Sequence, residues 1–223
     1  MAALEIIESQ TGPKPESTII ILHGLGADGN DFVPIAQELD LSAVGPVRFV
    51  FPHAPVIPVT INNGYRMRAW YDILGMELVR REDEAGLRRS LGQVEELIAN
   101  EVARGTPSNR IVLAGFSQGC AMSLLTGLRH KERLGGILGM SGYLPLAATT
   151  AAERSDANAL TPVFMAHGLQ DGVIDIQRAR ESRDALQALG YQVEWHEYPM
   201  AHSVCMEEIA DMNRWLVKVL AKG

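Results

Sequence analysis

The sequence predicts a single α/β domain, residues 1–223, with a mostly parallel, twisted sheet and helices on both faces. Short apolar runs alternate with amphipathic stretches to the end of the chain, which is typical of repeated strand–helix units. Runs such as Ile-Val-Leu-Ala at 111–114 show no polar alternation, as expected for strands buried on both faces of a parallel sheet. No repeat, low-complexity tract or linker divides the chain.

The predicted elements follow from these patterns in chain order. Strands are expected at 18–22, 47–51, 110–115, 136–141, 163–167 and 193–198. The clearest helix begins near Asp83 and carries a one-sided apolar stripe: Leu87, Leu91, Val94, Leu97, Ile98 and Val102. Other helices are expected near 31–39, 118–129, 176–189 and 206–220. Segments 52–64, rich in Pro and Asn, and 144–161, rich in Ala and Thr, are expected to be irregular.

Composition and charge exclude several classes of protein. Of the 223 residues, 47% are hydrophobic, and a domain of this length can bury a core without disulfides or metals. With 27 acidic and 20 basic residues the formal charge is −7, so no basic face is expected for nucleic acid. Cys120 and Cys205 lack metal-ligand spacing, and we expect two free thiols.

The amino terminus does not resemble a targeting segment. Glu5 and Glu8 stand where a signal peptide needs a basic start and an apolar run. No apolar stretch approaches the ~20 residues that a membrane span needs. We therefore expect a soluble, cytoplasmic protein without stable membrane insertion.

A G-x-S-x-G motif, Gly115-Phe116-Ser117-Gln118-Gly119, lies between a predicted strand and a predicted helix. This is the setting of the nucleophile elbow of α/β-hydrolases, where small neighbours let strand and helix approach around a strained serine. The hydroxyl then stands at a helix amino terminus, where an oxyanion meets unpaired N–H groups. The alternative is an incidental glycine-rich turn.

A serine nucleophile needs a histidine base, and in hydrolases with this elbow the chain order is Ser, acid, His. His202 fits that order and lies in the loop between the last strand and the last helix. Loops beyond the carboxyl ends of parallel strands are where such sites form. The other histidines fail the order or lie in less suitable places: His23, His53, His130, His167 and His196.

The acid that orients the base is expected after the strand at 163–167. Asp171 lies within the following loop, whereas Asp175 leads into a helix and is suited to cap it. Asp171 is therefore predicted to take the orienting role, with Asp175 as the alternative.

The loop after the first long strand, His23-Gly24-Leu25-Gly26, is predicted to complete an oxyanion hole. One N–H comes from Gln118, the residue after the nucleophile, and Leu25 is placed to supply the second. The same stretch matches the dinucleotide-binding pattern G-x-G-x-x-G through Gly29. That interpretation lacks the acid expected after the second strand, where Pro52 and His53 stand instead.

Together these motifs resemble the small bacterial carboxylesterases that are grouped with acyl-protein thioesterases and lysophospholipases. The resemblance covers nearly the whole chain. It rests on His23-Gly-Leu-Gly, Phe51-Pro-His-Ala-Pro, Asn63-Gly-Tyr-Arg-Met-Arg-Ala-Trp-Tyr-Asp, Gly115-Phe-Ser-Gln-Gly, His167-Gly…Asp171 and His202-Ser203.

The resemblance implies an α/β-hydrolase fold without a large lid domain and a Ser117–Asp171–His202 triad. It implies that Leu25 and Gln118 form the oxyanion hole, and that Trp70, Leu74 and Met76 border an acyl-binding groove. From the residues alone, ordinary packing is an equal alternative for Leu74 and Met76.

The expected function is that of a serine carboxylesterase that hydrolyses short- to medium-chain esters through an acyl-enzyme on Ser117. An acyl-protein thioesterase or lysophospholipase with the same triad is the alternative. A binding protein on a hydrolase scaffold and a nicotinamide-dependent oxidoreductase are further alternatives. We expect a small-molecule ester substrate, no metal or cofactor, and association into a homodimer through the open rim of the site.

Overall fold

The computed structural model describes residues 3–75 and 82–221. Within these ranges the strands are β1 Ile6–Gln10, β2 Ser17–Leu22, β3 Val47–Pro52, β4 Val56–Val59, β5 Tyr65–Arg68, β6 Ile111–Phe116, β7 Gly136–Met140, β8 Val163–Gly168 and β9 Val193–Tyr198. The α-helices are α1 Val33–Gln37, α2 Glu84–Ala103, α3 Gln118–Arg129, α4 Ala147–Glu153, α5 Ile176–Ala188 and α6 Met206–Leu220.

Seven strands form one sheet in the order β1-β3-β2-β6-β7-β8-β9. Only β1 runs antiparallel to its neighbour, so the predicted α/β fold with a mostly parallel sheet is confirmed. Strands β4 and β5 form a separate antiparallel hairpin. Because β2, β6, β8 and β9 are parallel, the loops that follow them meet at one edge of the sheet.

Apolar layers cover both faces of the sheet. In β2 all six residues are buried, with Ile19 and Ile21 in one cluster and Ile20 and Leu22 in another. Successive side chains point to opposite faces, so a strand covered on both sides carries no polar alternation. Helix α6 packs on the first layer through residues such as Trp215, and α2 contributes to the second through its apolar stripe.

The predicted elements are present with small shifts at their ends, and the structure adds others. Segment 52–64 is not wholly irregular, because it contains β4 and leads through Asn63 and Gly64, both at positive φ, into β5. Segment 144–161 contains α4. The unpredicted β1 is an edge strand with mostly exposed side chains, so its sequence lacks an apolar run.

The helices themselves are of moderate length. None in the described part of the chain is both long and apolar enough to cross a bilayer. Both cysteines are free, as predicted: Cys120 is buried in α3, and Cys205 is partly buried at the start of α6.

Candidate active site

Ser117 occupies a sharp turn between β6 and α3. Its backbone has φ +56° and ψ −115°, a conformation that non-glycine residues adopt only when the surroundings hold it. The Ser117 amide donates to the Met140 carbonyl at 2.9 Å, and the Ser117 carbonyl accepts from Ala121 at 3.1 Å. The predicted strand–turn–helix setting is therefore present, and neighbouring backbone fixes the strained residue.

The two motif glycines permit close approach of the chain around this turn. A Cβ on Gly115 would lie 2.2 Å from the Gly119 backbone, and a Cβ on Gly119 would lie 1.9 Å from the Leu22 carbonyl oxygen. Any side chain at either position would force β2, β6 and α3 apart. The two glycines of the G-x-S-x-G motif are thus required by the close packing of β2, β6 and α3.

His202 and Asp171 meet above the carboxyl edge of the sheet. Asp171 lies in the loop after β8 and His202 in the loop after β9, and His202 Nδ1 is 2.7 Å from Asp171 Oδ2. Asp175 instead caps α5, accepting a hydrogen bond from the Gln177 amide at 2.8 Å. The structure therefore places Asp171, and not its alternative, beside the predicted base.

The Asp171 carboxylate is fully buried, and it accepts hydrogen bonds from several protein donors. Its Oδ1 accepts hydrogen bonds from the amides of Val173 at 2.8 Å and Ile174 at 2.9 Å. Burial raises the pKa of Asp171, but the hydrogen bonds from His202 and these amides outweigh burial and hold the pKa below its usual value. An ionised carboxylate can only accept a hydrogen bond, so His202 carries a proton on Nδ1; in the neutral ring Nε2 is then the unprotonated nitrogen.

Ser117 and His202 line one cavity of about 430 Å³. The His202 ring packs against Phe116, the residue before the serine, with ring centroids 4.7 Å apart. Among the hydrogen bonds of residues 3–75 and 82–221, none joins the Ser117 hydroxyl to His202. Much of the remaining wall is apolar: Leu25, Ile61, Ile73, Leu74, Val173 and Ile174.

The two residues predicted to supply the oxyanion donors also line this cavity. Gln118 is the first residue of α3, and Leu25 lies in the loop after β2. That loop approaches the serine closely, since a Cβ on Gly24 would lie 3.3 Å from the Ser117 Cβ. Neither amide donates to an acceptor among the described residues, so both are available to an oxygen in the cavity.

The three residues predicted to border the acyl groove differ in their position relative to the cavity. Leu74 lines the cavity and is 43% exposed. Met76 lies outside the described residues. Trp70 is not part of the lining: its side chain is 1% exposed, and its indole N–H donates to the His23 carbonyl at 2.9 Å. We correct its predicted role from substrate contact to support of the loop that carries Leu25.

His23 has a structural role that the sequence analysis missed. Its Nδ1 lies 2.7 Å from the Gly24 carbonyl, and its Nε2 accepts from the Ala54 amide at 3.0 Å. Burial lowers the pKa of His23, so the neutral ring holds these two backbone segments together. The position was set aside as a base because it precedes Ser117, and the contact to Ala54 spans 31 residues.

A second Ser–His–Glu arrangement lies at the opposite end of β6. Ser108 Oγ is 3.2 Å from His130 Nε2, and His130 Nδ1 is 2.8 Å from Glu95 Oε2. Ser108 is buried and is not part of the cavity wall. It provides an internal control for any reaction attributed to Ser117.

The glycines of the 24–29 loop are explained without a dinucleotide. A Cβ on Gly29 would lie 2.5 Å from the Phe51 carbonyl oxygen, and the Gly26 amide, at φ +76°, donates to Arg68 at 2.8 Å. The loop leads into a short 3-10 turn and the five-residue α1. Within residues 3–75 and 82–221, no three His, Cys, Asp or Glu side chains cluster as metal ligands.

Comparison with known proteins finds a matching family and relatives of similar sequence and fold. A family model described as phospholipase/carboxylesterase matches residues 2–220. Acyl-protein thioesterase 1 of Yarrowia lipolytica is 42% identical over 205 residues, covering 90% of this chain and 90% of that protein. The crystal structure of Arabidopsis thaliana SOBER1 has a TM-score of 0.87 at 28% identity, covering 92% of this chain and 100% of that one. Acyl-protein thioesterase 2 of Zea mays has a TM-score of 0.82 at 27% identity, covering 96% and 99%.

Proposed function

The chain belongs to the phospholipase/carboxylesterase family and is a serine hydrolase of the α/β-hydrolase fold, and we propose that it hydrolyses acyl thioesters and esters through an acyl-enzyme on Ser117. The observation that carries this proposal is the 2.7 Å contact between His202 and Asp171 in a cavity that also contains Ser117. A base with a fixed tautomer and a strained serine in one cavity are the components of nucleophilic acyl transfer.

In the proposed reaction, His202 Nε2 takes the Ser117 proton as the hydroxyl oxygen attacks the acyl carbon. Asp171 stabilises the imidazolium that forms. The amides of Leu25 and Gln118 donate hydrogen bonds to the tetrahedral oxyanion. His202 then protonates the departing sulfur or oxygen, the bond to the leaving group breaks, and the acyl group remains on Ser117. Water attacks the acyl-enzyme by the same steps and releases the carboxylic acid.

The contact between Ser117 and His202 is expected to form with substrate. Catalytic hydrogen bonds are often long or misaligned without substrate and tighten in the complex. Packing of the His202 ring against Phe116 keeps the imidazole next to the residue that precedes Ser117.

The cavity supports an acyl chain as the group that is transferred. Its volume of about 430 Å³ lies within the range of small-molecule sites. The apolar wall around Ile73 and Leu74 suits a hydrocarbon chain, whose burial is favourable by ~0.8 kcal/mol per methylene. Short- to medium-chain acyl groups are therefore the proposed substrates.

The names of the relatives favour a thioester substrate, from which the leaving group is a thiol. Those of about 42% identity from Yarrowia lipolytica and Gibberella zeae are named acyl-protein thioesterase 1. These relatives are eukaryotic, so they support the family and not the bacterial carboxylesterase branch that the sequence resembled. A protein S-acylated on cysteine is thus our first candidate substrate. A simple carboxylic ester, the first expectation from sequence, is the second, because the family description includes carboxylesterases.

The assignment of the nucleophile is tested with two serine variants. S117A should remain folded and lose ester and thioester hydrolysis, while S108A should keep wild-type turnover although Ser108 also contacts a histidine. A fluorophosphonate should label Ser117 in the wild-type protein, as identified by peptide mass spectrometry. Full turnover by S117A, or label only on other serines, would refute the proposal.

The leaving-group class is tested with one acyl chain on different leaving groups. Octanoyl esters, octanoyl thioesters, an S-octanoylated cysteine peptide and an octanoyl lysophospholipid are compared by kcat/KM. The proposal expects the highest value for the acylated peptide. A clear preference for the simple ester would favour the second candidate, and a preference for the lysophospholipid would contradict both.

A further inference from the structure

His167 is a buried histidine beside the triad that the proposed reaction does not use. It lies near the end of β8, four residues before Asp171, and its side chain is 0% exposed. Its Nε2 is 2.9 Å from the Ile174 carbonyl oxygen and 3.2 Å from Asp171 Oδ2. Both neighbours of this nitrogen belong to the loop that presents the acid to His202.

These contacts define the tautomer of His167. A backbone carbonyl and an ionised carboxylate can only accept hydrogen bonds, so Nε2 must carry a proton. Nδ1 is buried and has no hydrogen-bond partner among the described residues. A proton on Nδ1 would therefore be an unsatisfied buried donor, which is costly. Burial lowers the pKa of His167, against smaller opposing effects of the Ile174 carbonyl and Asp171, and favours the neutral ring.

We propose that His167 is a positioning residue for the acid, sharing its Nε2–H between the Ile174 carbonyl and Asp171 Oδ2. One donor thereby joins both ends of the Asp171–Ile174 loop and holds the carboxylate with Oδ2 towards His202. This inference rests on the proposed function, because it concerns how the triad is aligned.

The contacts of the carboxylate show why such a donor matters. Oδ1 accepts hydrogen bonds from the amides of Val173 and Ile174. Among the described residues, Oδ2 has two side-chain nitrogens beside it, His202 Nδ1 at 2.7 Å and His167 Nε2 at 3.2 Å. His202 must accept and release a proton in each cycle, so its bond to Oδ2 changes in strength. His167 carries its Nε2 proton throughout and keeps Oδ2 in place while His202 gains and loses a proton during the reaction.

The role predicts a change in pH dependence as well as in rate. The charged groups near His167 are Asp171, His202 and Asp175. Without the Nε2–H of His167, the negative charge on Oδ2 loses a nearby donor that partly neutralises it. The carboxylate then attracts protonated His202 more strongly. The acidic limb of kcat/KM should therefore move to higher pH. A residue that only fills space would alter stability and leave this limb where it is.

Two variants separate donation from packing. H167F keeps a ring of similar size without a donor, and H167Q keeps an N–H group near the position of Nε2. We expect H167F to lower kcat by about tenfold to a hundredfold, as for other small misplacements of catalytic groups, with KM within about twofold. Its acidic limb should shift upward, and H167Q should recover most of both properties. Rates are expressed per active site after titration with fluorophosphonate, so partial misfolding does not affect them.

The tautomer is tested in the unmodified protein by ¹⁵N NMR of the histidine rings. We expect His167 to be protonated on Nε2 across the pH range of activity. Protonation on Nδ1, an unchanged pH profile in H167F, or equal impairment of H167F and H167Q would each overturn the inference. These outcomes differ from failure of the proposed function, in which S117A itself would remain active.

Discussion

The side-chain oxygen of Gln118 accepts a hydrogen bond of 3.0 Å from the backbone amide of Trp70. The same side chain donates from Nε2 to the Tyr71 carbonyl at 2.9 Å. The residue after Ser117 therefore joins the nucleophile turn to the segment that forms part of the cavity wall, and it also lines the cavity itself.

Replacing Gln118 by alanine should loosen the Trp70–Tyr71 segment that forms part of the cavity wall, because its side-chain hydrogen bonds are lost. The backbone amide of residue 118, the proposed oxyanion donor, should stay in place. The buried Trp70 amide would lose its acceptor, so we expect the free energy of unfolding to fall by about 1–3 kcal/mol. KM should rise more than kcat falls. Urea denaturation and steady-state kinetics measure the two effects, with exposed Gln177→Ala as the matched control. Unchanged stability and KM would show that the bridge is unimportant.

Asp171→Asn should reduce kcat by about 10⁴-fold while the protein stays folded. An asparagine that keeps its amide nitrogen towards His202 favours the wrong imidazole tautomer, as in other Ser-His-Asp enzymes. Asp175→Asn is the control, because asparagine also caps helices. A fall in kcat below tenfold in Asp171→Asn would be inconsistent with the proposed acid.

Gly119→Ala should disrupt folding because of the contact between α3 and β2. The added Cβ would lie 1.9 Å from the Leu22 carbonyl oxygen, and overpacking of this kind costs about 3 kcal/mol or more. Gly172→Ala places its Cβ in open space and should be tolerated. Thermal unfolding of both variants is the measurement, and equal melting temperatures would contradict the close approach described above.

Glu208 should make stability fall as pH rises. Burial raises its pKa to about 8, with a smaller opposing effect of the Cys205 amide, against about 4.5 in the unfolded chain. Between these values only the folded state keeps the proton, so this group lowers stability by about 1.4 kcal/mol per pH unit. The contribution is complete below the unfolded pKa and lost once pH passes the folded value.

The neutral variant Glu208→Gln tests this dependence. It should remove the contribution of Glu208 to the fall in the free energy of unfolding with pH. Above pH 8 it should be a few kcal/mol more stable than the wild type. The exposed neighbour Glu207→Gln should leave the slope unchanged. Urea denaturation from pH 5 to pH 9 compares the three proteins, and parallel curves would rule out a buried proton on Glu208.

Leu74→Trp should shorten the acyl chain that the cavity accepts. A larger side chain in the wall takes space from the chain, so kcat/KM should fall most for the longest acyl groups. Leu160→Trp, at a surface position 75% exposed and outside the cavity wall, is the control. A chain-length series of p-nitrophenyl esters measures the effect, and an unchanged preference would show that Leu74 does not contact the chain.

The features predictable from sequence are those encoded by local pattern. The buried strands lack polar alternation, and the elbow glycines are required by contacts with elements adjacent to the turn, so both were found. Asp171 and His202 were located because loops after parallel strands share one edge of the sheet. Their roles in catalysis stay a prediction until the variants are measured.

The features that were missed depend on where side chains point after the chain has folded. Trp70 was assigned to the groove because its segment borders the site, but its ring turns inward to the His23 carbonyl. No periodicity encodes that direction. The β4–β5 hairpin has a local indicator in Asn63-Gly64, a pair typical of tight hairpin turns, but segment 52–64 was expected to be irregular because it is rich in Pro and Asn.

Part of the cavity wall comes from a different segment of the molecule than the reacting groups. Ser117, Asp171 and His202 follow strands of the seven-stranded sheet, whereas Ile61, Ile73 and Leu74 lie between β4 and α2. Substitutions at these three wall positions leave Ser117, Asp171 and His202 unchanged. Substrate preference in this protein can therefore change in evolution, or be redesigned, while the three reacting residues stay the same.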